Sequence, residues 1–220
     1  VPYPCWGTFP YPSTGAGESA KKEIGANNFQ LLKTGDPEGS YYMPAMSDAP
    51  LRGHGGHDWF WEPNREHIIY PLENLVEMYY NSVGHNTSLI LGVTPNPEGL
   101  IPEPDEKRLK EFGKEIERRF SNPVASISGA GKIVNLKLPE LQTVNQVVLM
   151  EDITQGERVR EFIIEGKTTD GWQEIFEGSC IGHKFIHRFD AVSLSEIRLK
   201  ISESVGIPQI KDFTVYNIEK

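Results

Sequence analysis

The sequence predicts two fold classes in series, α/β up to about residue 121 and all-β after it. Three observations carry that expectation. Leu72, Leu75, Val76, Tyr79, Tyr80 and Val83 recur with the period of one apolar helix face. The short apolar run SLILGV (88–93) follows, bounded by turn residues as a buried parallel strand is. From residue 133 onward IVNLKL, NQVVLME, VREFIIEG, WQEIFEG, EIRLKIS and DFTVYNI are strand-length runs separated by turn signals. Several alternate, such as Val134, Leu136, Leu138 and Ile197, Leu199, Ile201, which is the pattern of an antiparallel sandwich.

Taken in order, the opening VPYPCWGTFPYPSTG has no initiator Met, charged leader or apolar core, and reads as the interior of a longer protein. SYYMPAM (40–46) is a strand candidate. The segment PAMSDAPLRGHGGHDWFWEP (44–63) cannot be helical, because Pro44, Pro50, Gly53, Gly55 and Gly56 break any helical period. Its two His, two Trp, Phe60 and three carboxylates make it too aromatic for a plain solvent loop, so it should line something. Gly84 is a plausible stop for the first helix. After the loop TPNPEGLIPEP a second helix begins near Pro104, with Leu109, Phe112, Ile116 and Phe120 facing inward. Its acidic start (Glu103, Asp105, Glu106) and basic end (Arg118, Arg119) suit the helix dipole. Strand, helix, strand, helix is the grammar of a parallel sheet or barrel, and SNP at 121–123 marks the boundary.

Composition narrows the partners. Over 220 residues the formal charge is −9, which argues against nucleic acid and anionic membranes, since both need a basic face. No apolar run approaches membrane-spanning length. A neutral ligand such as a sugar fits this balance. Cys5 and Cys180 form neither a disulfide framework nor a zinc pattern; one long-range bridge or two independent thiols remain, the second being preferred. GAGK (129–132) lacks the pattern of a phosphate loop, and NTS (86–88) reads as structural rather than as a glycosylation acceptor.

The aromatic loop supplies the candidate site. Trp59, Phe60 and Trp61 either wall a sugar's apolar face or pack the top of the fold; alternation would turn Phe60 away from the two Trp. His54 and His57 have no obvious third ligand, so metal is not expected; they hydrogen-bond sugar hydroxyls or simply build the loop. Arg52 either binds a ligand oxygen or orients the loop by pairing with Asp48 or Asp58. Thr94 and Asn96 sit where they could reach a pocket, and Trp172 is expected in the core of the β portion.

Residues 70–116, YPLENLVEMYYNSVGHNTSLILGVTPNPEGLIPEPDEKRLKEFGKEI, resemble the last helix, strand and helix of the catalytic barrel in family 29 glycoside hydrolases, the α-L-fucosidases. YYMPAMSDAP…WFWEP resembles the preceding barrel segment. EDITQGERVREFIIEGKTTDGWQEIFEGSCIGHKFIHRF (151–189) resembles the galactose-binding-like β-sandwich of the discoidin or coagulation-factor type. The resemblance implies the C-terminal part of a (β/α)8-like barrel over residues 1–121 and an antiparallel jelly-roll sandwich over 122–220. It also implies an exo-acting retaining hydrolase of terminal α-L-fucose on oligosaccharides or glycoconjugates, with no cofactor, working outside the cytoplasm in a secreted or periplasmic setting.

Two departures stand out. The family's nucleophile lies on an earlier strand, before Val1, so the chain is expected to need the missing N-terminal half of the barrel as its partner. Relatives often carry Glu as acid/base in a PAE context, where PAM puts Met46. A thioether donates no proton, so the role falls to Asp48, two residues on, or to Asp58, Glu62 or Glu38. An acid must hold its proton, and apolar neighbours such as Trp59 and Trp61 disfavour the charged form, favouring Asp48 or Asp58. Asp48 capping a turn with Ser47 is the structural alternative. Relatives also often have Asn where Gly92 stands. A hydrolase of another galacto-configured glycoside, or a non-catalytic carbohydrate-binding protein on a degenerate hydrolase frame, is the competing expectation.

Overall fold

Alternating apolar residues from Ile133 to Glu151 build one strand long enough to run through the whole β portion, and a second long strand, Phe185–Ser204, runs antiparallel beside it. The computed structural model describes residues 3–9, 35, 36, 39–56 and 58–219. In chain order the elements are β1 (Thr8–Phe9), β2 (Tyr41–Tyr42), β3 (Met46–Pro50), α1 (Leu72–Tyr80), β4 (Ser88–Gly92) and α2 (Glu103–Phe120). The β portion adds β5 (Ala125–Ala130), β6 (Ile133–Glu151), β7 (Val159–Thr168), β8 (Gly171–Gly178), β9 (Phe185–Ser204) and β10 (Gln209–Tyr216).

β5 to β10 form one six-stranded antiparallel sheet in the order β5-β10-β6-β9-β7-β8. The β6–β9 ladder shifts register between Lys137 and Gln142 and again between Val144 and Gln146. Pro139 lies inside the first shift, and a residue with no N–H cannot continue a central ladder. The first half of β6 then neighbours the part of β9 that carries β7, and the second half neighbours β10. Val134 and Leu136 from the first half, Val144, Val147 and Leu149 from the second, and Phe162, Leu199 and Phe213 all belong to one buried cluster. The sheet thus wraps around its own core, consistent with a sandwich.

Several expectations are corrected. NQVVLME is the second half of the same strand as IVNLKL, not a separate one. β5 and the first half of β9 fall outside the predicted runs, because ASISGA and FIHRFDAVSLS carry small, polar or charged residues at most positions. Trp172 is absent from the core cluster; its half-buried ring lies under the Arg198 guanidinium at 3.9 Å, with Lys167 at 5.8 Å. SYYMPAM splits between β2, which pairs with β1, and the start of β3. α1 stops at Tyr80, short of Val83, as the Asn81 amide bonds Glu77 O at 2.9 Å and Ser82 Oγ donates to Met78 O at 2.5 Å. Both cysteines are free thiols, buried in one neighbourhood, with Cys180 Sγ donating to Cys5 O at 3.5 Å.

β3 and β4 pair in parallel, with Met46 opposite Ser88, Asp48 opposite Ile90 and Pro50 opposite Gly92. α1 and α2 pack on the outer face of the β6–β9–β10 region. Val76 and Tyr80 bury against Val148, Ile186 and Tyr216, and Phe112 and Phe120 lean on the same cluster. Phe120 has ring centroids of Tyr79, Tyr216 and Tyr80 within 5.6, 5.8 and 6.1 Å. A backbone seam adds to this. Asn86 N bonds Lys184 O at 2.9 Å, Ile186 N bonds Gly84 O at 2.9 Å, and Cys5 N bonds His85 O at 2.9 Å.

A buried carboxylate ties the seam together. Glu157 accepts from Gly7 N at 2.8 Å, Thr8 N at 3.1 Å, Thr8 Oγ1 at 3.1 Å and Asn86 Nδ2 at 2.7 Å. Asn86, held at φ 58°, also donates to Cys5 O at 2.7 Å, and its Oδ1 accepts from His183 N at 2.6 Å. Glu151 is buried likewise and accepts from Arg158 N at 2.9 Å, Val159 N at 3.0 Å and Gly182 N at 3.0 Å. Burial pushes the Glu151 carboxyl up to about 7, the three amides opposing it, and burial raises Glu157 as well.

Glu157→Ala removes the acceptor from several buried donors, and should cost about 3 kcal/mol or more of unfolding free energy in a urea titration. For Glu151 the folded-state value lies above the ordinary 4.5, so its protonation stabilises the fold below that value and the contribution is lost as pH rises through about 7. The thermal midpoint of the wild type should therefore fall relative to Glu151→Gln across that window. A constant difference would contradict the assignment.

Candidate functional site

Alternation in β3 and β4 gives their shared ladder two unlike faces. Met46, Asp48, Ser88 and Ile90 are exposed on one face, while Ser47, Ala49, Leu89 and Leu91 are half-buried on the other. Met46 and Asp48 do point the same way, as period two requires. Asp48 makes no hydrogen bond or ion pair among the described residues, and Ser47 does not join it in a turn: its Oγ meets Thr87 Oγ1 at 3.1 Å.

The aromatic loop after β3 is organised around Arg52. Its Nε and Nη2 bond Oδ1 and Oδ2 of Asp105 at 2.9 and 2.7 Å, and both side chains are almost wholly buried. Asp105 sits in the first turn of α2, where a carboxylate also meets the positive end of the helix dipole. The Arg52 partner is thus neither Asp48 nor Asp58, because the guanidinium turns away from the strand face toward the helix start. Its remaining contacts go to Glu62 O at 3.4 Å and, more distantly, to Glu66 at 3.9 Å. The fork is occupied by the protein itself, which places Arg52 in the loop's framework.

From that anchor the loop runs along the strand ends. Leu51 N bonds Gly92 O at 2.8 Å, Tyr70 N bonds Leu51 O at 3.1 Å, and His54 N bonds Ile68 O at 2.9 Å. His54 is exposed and sets its ring edge-on to Tyr70 at 5.7 Å. Asp58 Oδ2 accepts from Arg65 Nη2 at 2.7 Å and Nε at 3.1 Å, so this carboxylate is paired. Glu62 is largely exposed and lies 3.9 Å from Arg65. His57 and Glu38 lie outside the described residues.

Residues 58–61 are not a strand, so the expected alternation of the three rings does not hold. Phe60 is 83% exposed, Trp59 40% and Trp61 half-buried. Trp59 lies across Gly92: a Cβ built there would sit 3.0 Å from its Cζ3. Gly92 shares a strand face with Ile90 and, across the ladder, Asp48. The position against which the indole lies and that of Asp48 are therefore on one face, a two-residue step of about 7 Å along the strands. Near the same strand end the Thr94 Oγ1 is buried with no hydrogen-bond partner among the described residues, whereas Asn96 accepts from Glu98 N and Leu100 N at 3.1 and 2.9 Å.

Asp105 was legible only as a dipole-matching residue, and its pairing with Arg52 was not foreseen; an acidic first turn downstream of a loop arginine was the one available signal. A concavity of about 630 Å³ opens elsewhere, between Tyr41, Tyr42 and the loops at Thr154–Arg158 and Val205–Ile207. Among the described residues no group of three or more His, Cys, Asp or Glu side chains is placed to hold a metal ion, and no helix is long and apolar enough to cross a membrane.

A carboxylate and an indole on one face at the ends of parallel strands, beside an antiparallel β module, is an arrangement suited to sugar chemistry. Comparison with known proteins shows what the chain is similar to. The α-L-fucosidase family model matches residues 20–119. A crystal structure from Bacteroides thetaiotaomicron, provisionally assigned as an α-L-fucosidase, is 48% identical, with a TM-score of 0.88 over 99% of this chain and 48% of that one. Alpha-L-fucosidase 1 of Arabidopsis thaliana is 26% identical over 96% of this chain and 46% of its own length. A rice protein provisionally given the same name is 28% identical over 97% and 46%. All three carry the α-L-fucosidase name, two of them provisionally, and the chain spans about half their length.

Asp105→Ala leaves the Arg52 charge buried without its partner, and should lower unfolding free energy by about 3 to 5 kcal/mol. The double replacement Asp105→Leu with Arg52→Met should cost less than Asp105→Ala alone. Chemical denaturation of the three proteins measures the difference.

Proposed function

We propose that the chain is the C-terminal part of a family 29 α-L-fucosidase-like hydrolase, which removes terminal α-L-fucose from oligosaccharides or glycoconjugates with retention. Residues 1–121 act as the closing portion of a (β/α)8-like barrel, and residues 122–220 as a galactose-binding-like sandwich that buttresses it. The nucleophilic carboxylate and the remaining strands come from polypeptide outside these residues; the half-length match to relatives supports this division. Substrate sits on the open face of β3 and β4, where strand ends of such barrels carry their chemistry. Trp59 supplies the platform for the sugar ring, with His54 and Trp61 at the loop's edge.

The observation that carries the reading is the shared face of Asp48 and Trp59. Asp48 is the acid/base. It first protonates the departing glycosidic oxygen, then takes a proton from the water that hydrolyses the glycosyl-enzyme, and a nucleophile roughly 5 to 5.5 Å away completes the pair. Asp58 is a weaker candidate because Arg65 holds its Oδ2, and Glu62 because it lies 3.9 Å from the same arginine. Arg52 has the structural role given by Asp105.

Met46 favours a second reading. It is 69% exposed on the same face, where the family resemblance expects a Glu, and a thioether transfers no proton. A carbohydrate-binding protein on a hydrolase frame would bind fucose without turning it over.

The test is the initial rate on an aryl α-L-fucoside of moderate leaving ability, in the intact protein and its Asp48→Asn variant. A fall on the order of a hundredfold is expected. An unchanged rate would move the acid role to Asp58, Glu62 or Glu38. Binding of L-fucose with no turnover in the wild type would establish the second reading instead.

A further inference from the structure

Gly92 has no conformational reason to be glycine. It is the last residue of β4, pairs in register with Pro50, and its backbone lies outside the left-handed region. Glycine weakens a strand, so its presence there marks a close approach. The approaching group is Trp59. A Cβ on residue 92 would lie 3.0 Å from Cζ3 and 3.4 Å from Cε3 of the indole, and 3.6 Å from Pro50 Cα. The ring thus fills the volume that any side chain at 92 would claim, on the face that also presents Asp48.

The loop delivers the ring there from fixed points on both sides. Leu51 N holds Gly92 O at 2.8 Å, and Arg52 is locked to Asp105 by its paired hydrogen bonds. The Asp58 amide bonds Arg52 O at 3.3 Å, and the Asp58 carboxylate is held by Arg65. Arg52 Nη1 also donates to Glu62 O beyond the ring at 3.4 Å, so a side chain at residue 92 displaces the indole relative to a loop held in place.

We propose that Gly92 is the positioning residue for Trp59. Its bare backbone seats the indole flush with the strand ends, and so sets the height of the platform on which the sugar ring rests. The inference rests on Trp59 being that platform, as proposed above, and adds which residue fixes it. An amide side chain at this position would lift the ring from its seat and put a polar group in its place.

The experiment is a double-mutant cycle in the intact protein, reading kcat and KM for the aryl α-L-fucoside in the wild type, Gly92→Asn, Trp59→Ala and the double variant. Trp59→Ala should raise KM by about tenfold with a smaller change in kcat, the scale of one lost aromatic contact. Gly92→Asn should raise KM severalfold, and the double variant should be no worse than Trp59→Ala alone. Thermal midpoints of all four check folding; should Gly92→Asn not fold, Gly92→Ala, which adds only the Cβ, replaces it with a smaller effect of the same sign. A Gly92 effect that persists undiminished in the Trp59→Ala background overturns the seat alone. An unchanged KM in Trp59→Ala overturns the platform and the seat together. Should the wild type not turn over, calorimetric titration of the same four proteins with L-fucose gives the same cycle in dissociation constants.

Discussion

The carboxylate of Glu157 is the interaction on which the arrangement of the molecule depends. It sits between the start of β1, the turn at Asn86 that precedes β4, and the loop leading into β7, and accepts from Gly7, Thr8 and Asn86. Burying a charge without partners is prohibitive, so the carboxylate is compatible with the fold only when Gly7, Thr8 and Asn86 converge on it. That condition fixes how the α/β portion meets the β portion, along with the backbone seam at Cys5, Gly84, His85 and Asn86. Asn86 accepts a left-handed backbone to do so, a conformation that Asn tolerates better than other residues with a side chain. The aromatic packing of Phe120, Tyr79, Tyr80 and Tyr216 then adds apolar burial to a geometry already specified by polar groups.

The candidate face is built on the same logic, with a buried ion pair in place of the buried carboxylate. Arg52 and Asp105 connect the loop after β3 to the first turn of α2, so the helix that follows β4 also anchors the loop that precedes α1. The consequence is chemical as well as structural. By engaging Arg52 and Arg65 elsewhere, the loop leaves Asp48 as a carboxylate without an ionic partner among the described residues, on a face that also presents Met46, Ser88, Ile90 and Trp59. A carboxylate already held by arginine, as Asp105 and Asp58 are, is committed to structure.

Much of the fold was legible because it is written in local periodicity. The i, i+3, i+4 spacing of Leu72 to Tyr80 and of Leu109 to Phe120 identified both helices, and alternation identified β6, β7, β8, β10 and the second half of β9. The misses are places where local pattern and tertiary environment diverge. β5 is an edge strand of small polar residues, with nothing in ASISGA to set it apart from a loop. Trp172 is as apolar as a core residue, yet the cations of Arg198 and Lys167 offered its ring a surface position. In the site, Asp48 and Trp59 could be nominated by type, but not placed together, since their proximity runs through Gly92 on another strand.

By itself the sequence determined the two helices and most of the strands, gave a net charge unsuited to nucleic acid, and nominated a short list of candidate residues. These follow from side-chain chemistry and from spacing along one chain. The tertiary structure alone decided which of those residues share a surface, that Arg52 belongs to Asp105, and that Gly92 is a seat rather than a gap. It also decided that Glu157, Glu151 and Asn86 are buried organisers rather than surface groups. The physical reason is that burial and pairing are properties of contacts between residues far apart in the chain: 150 positions separate Gly7 from Glu157, and no local pattern encodes that distance.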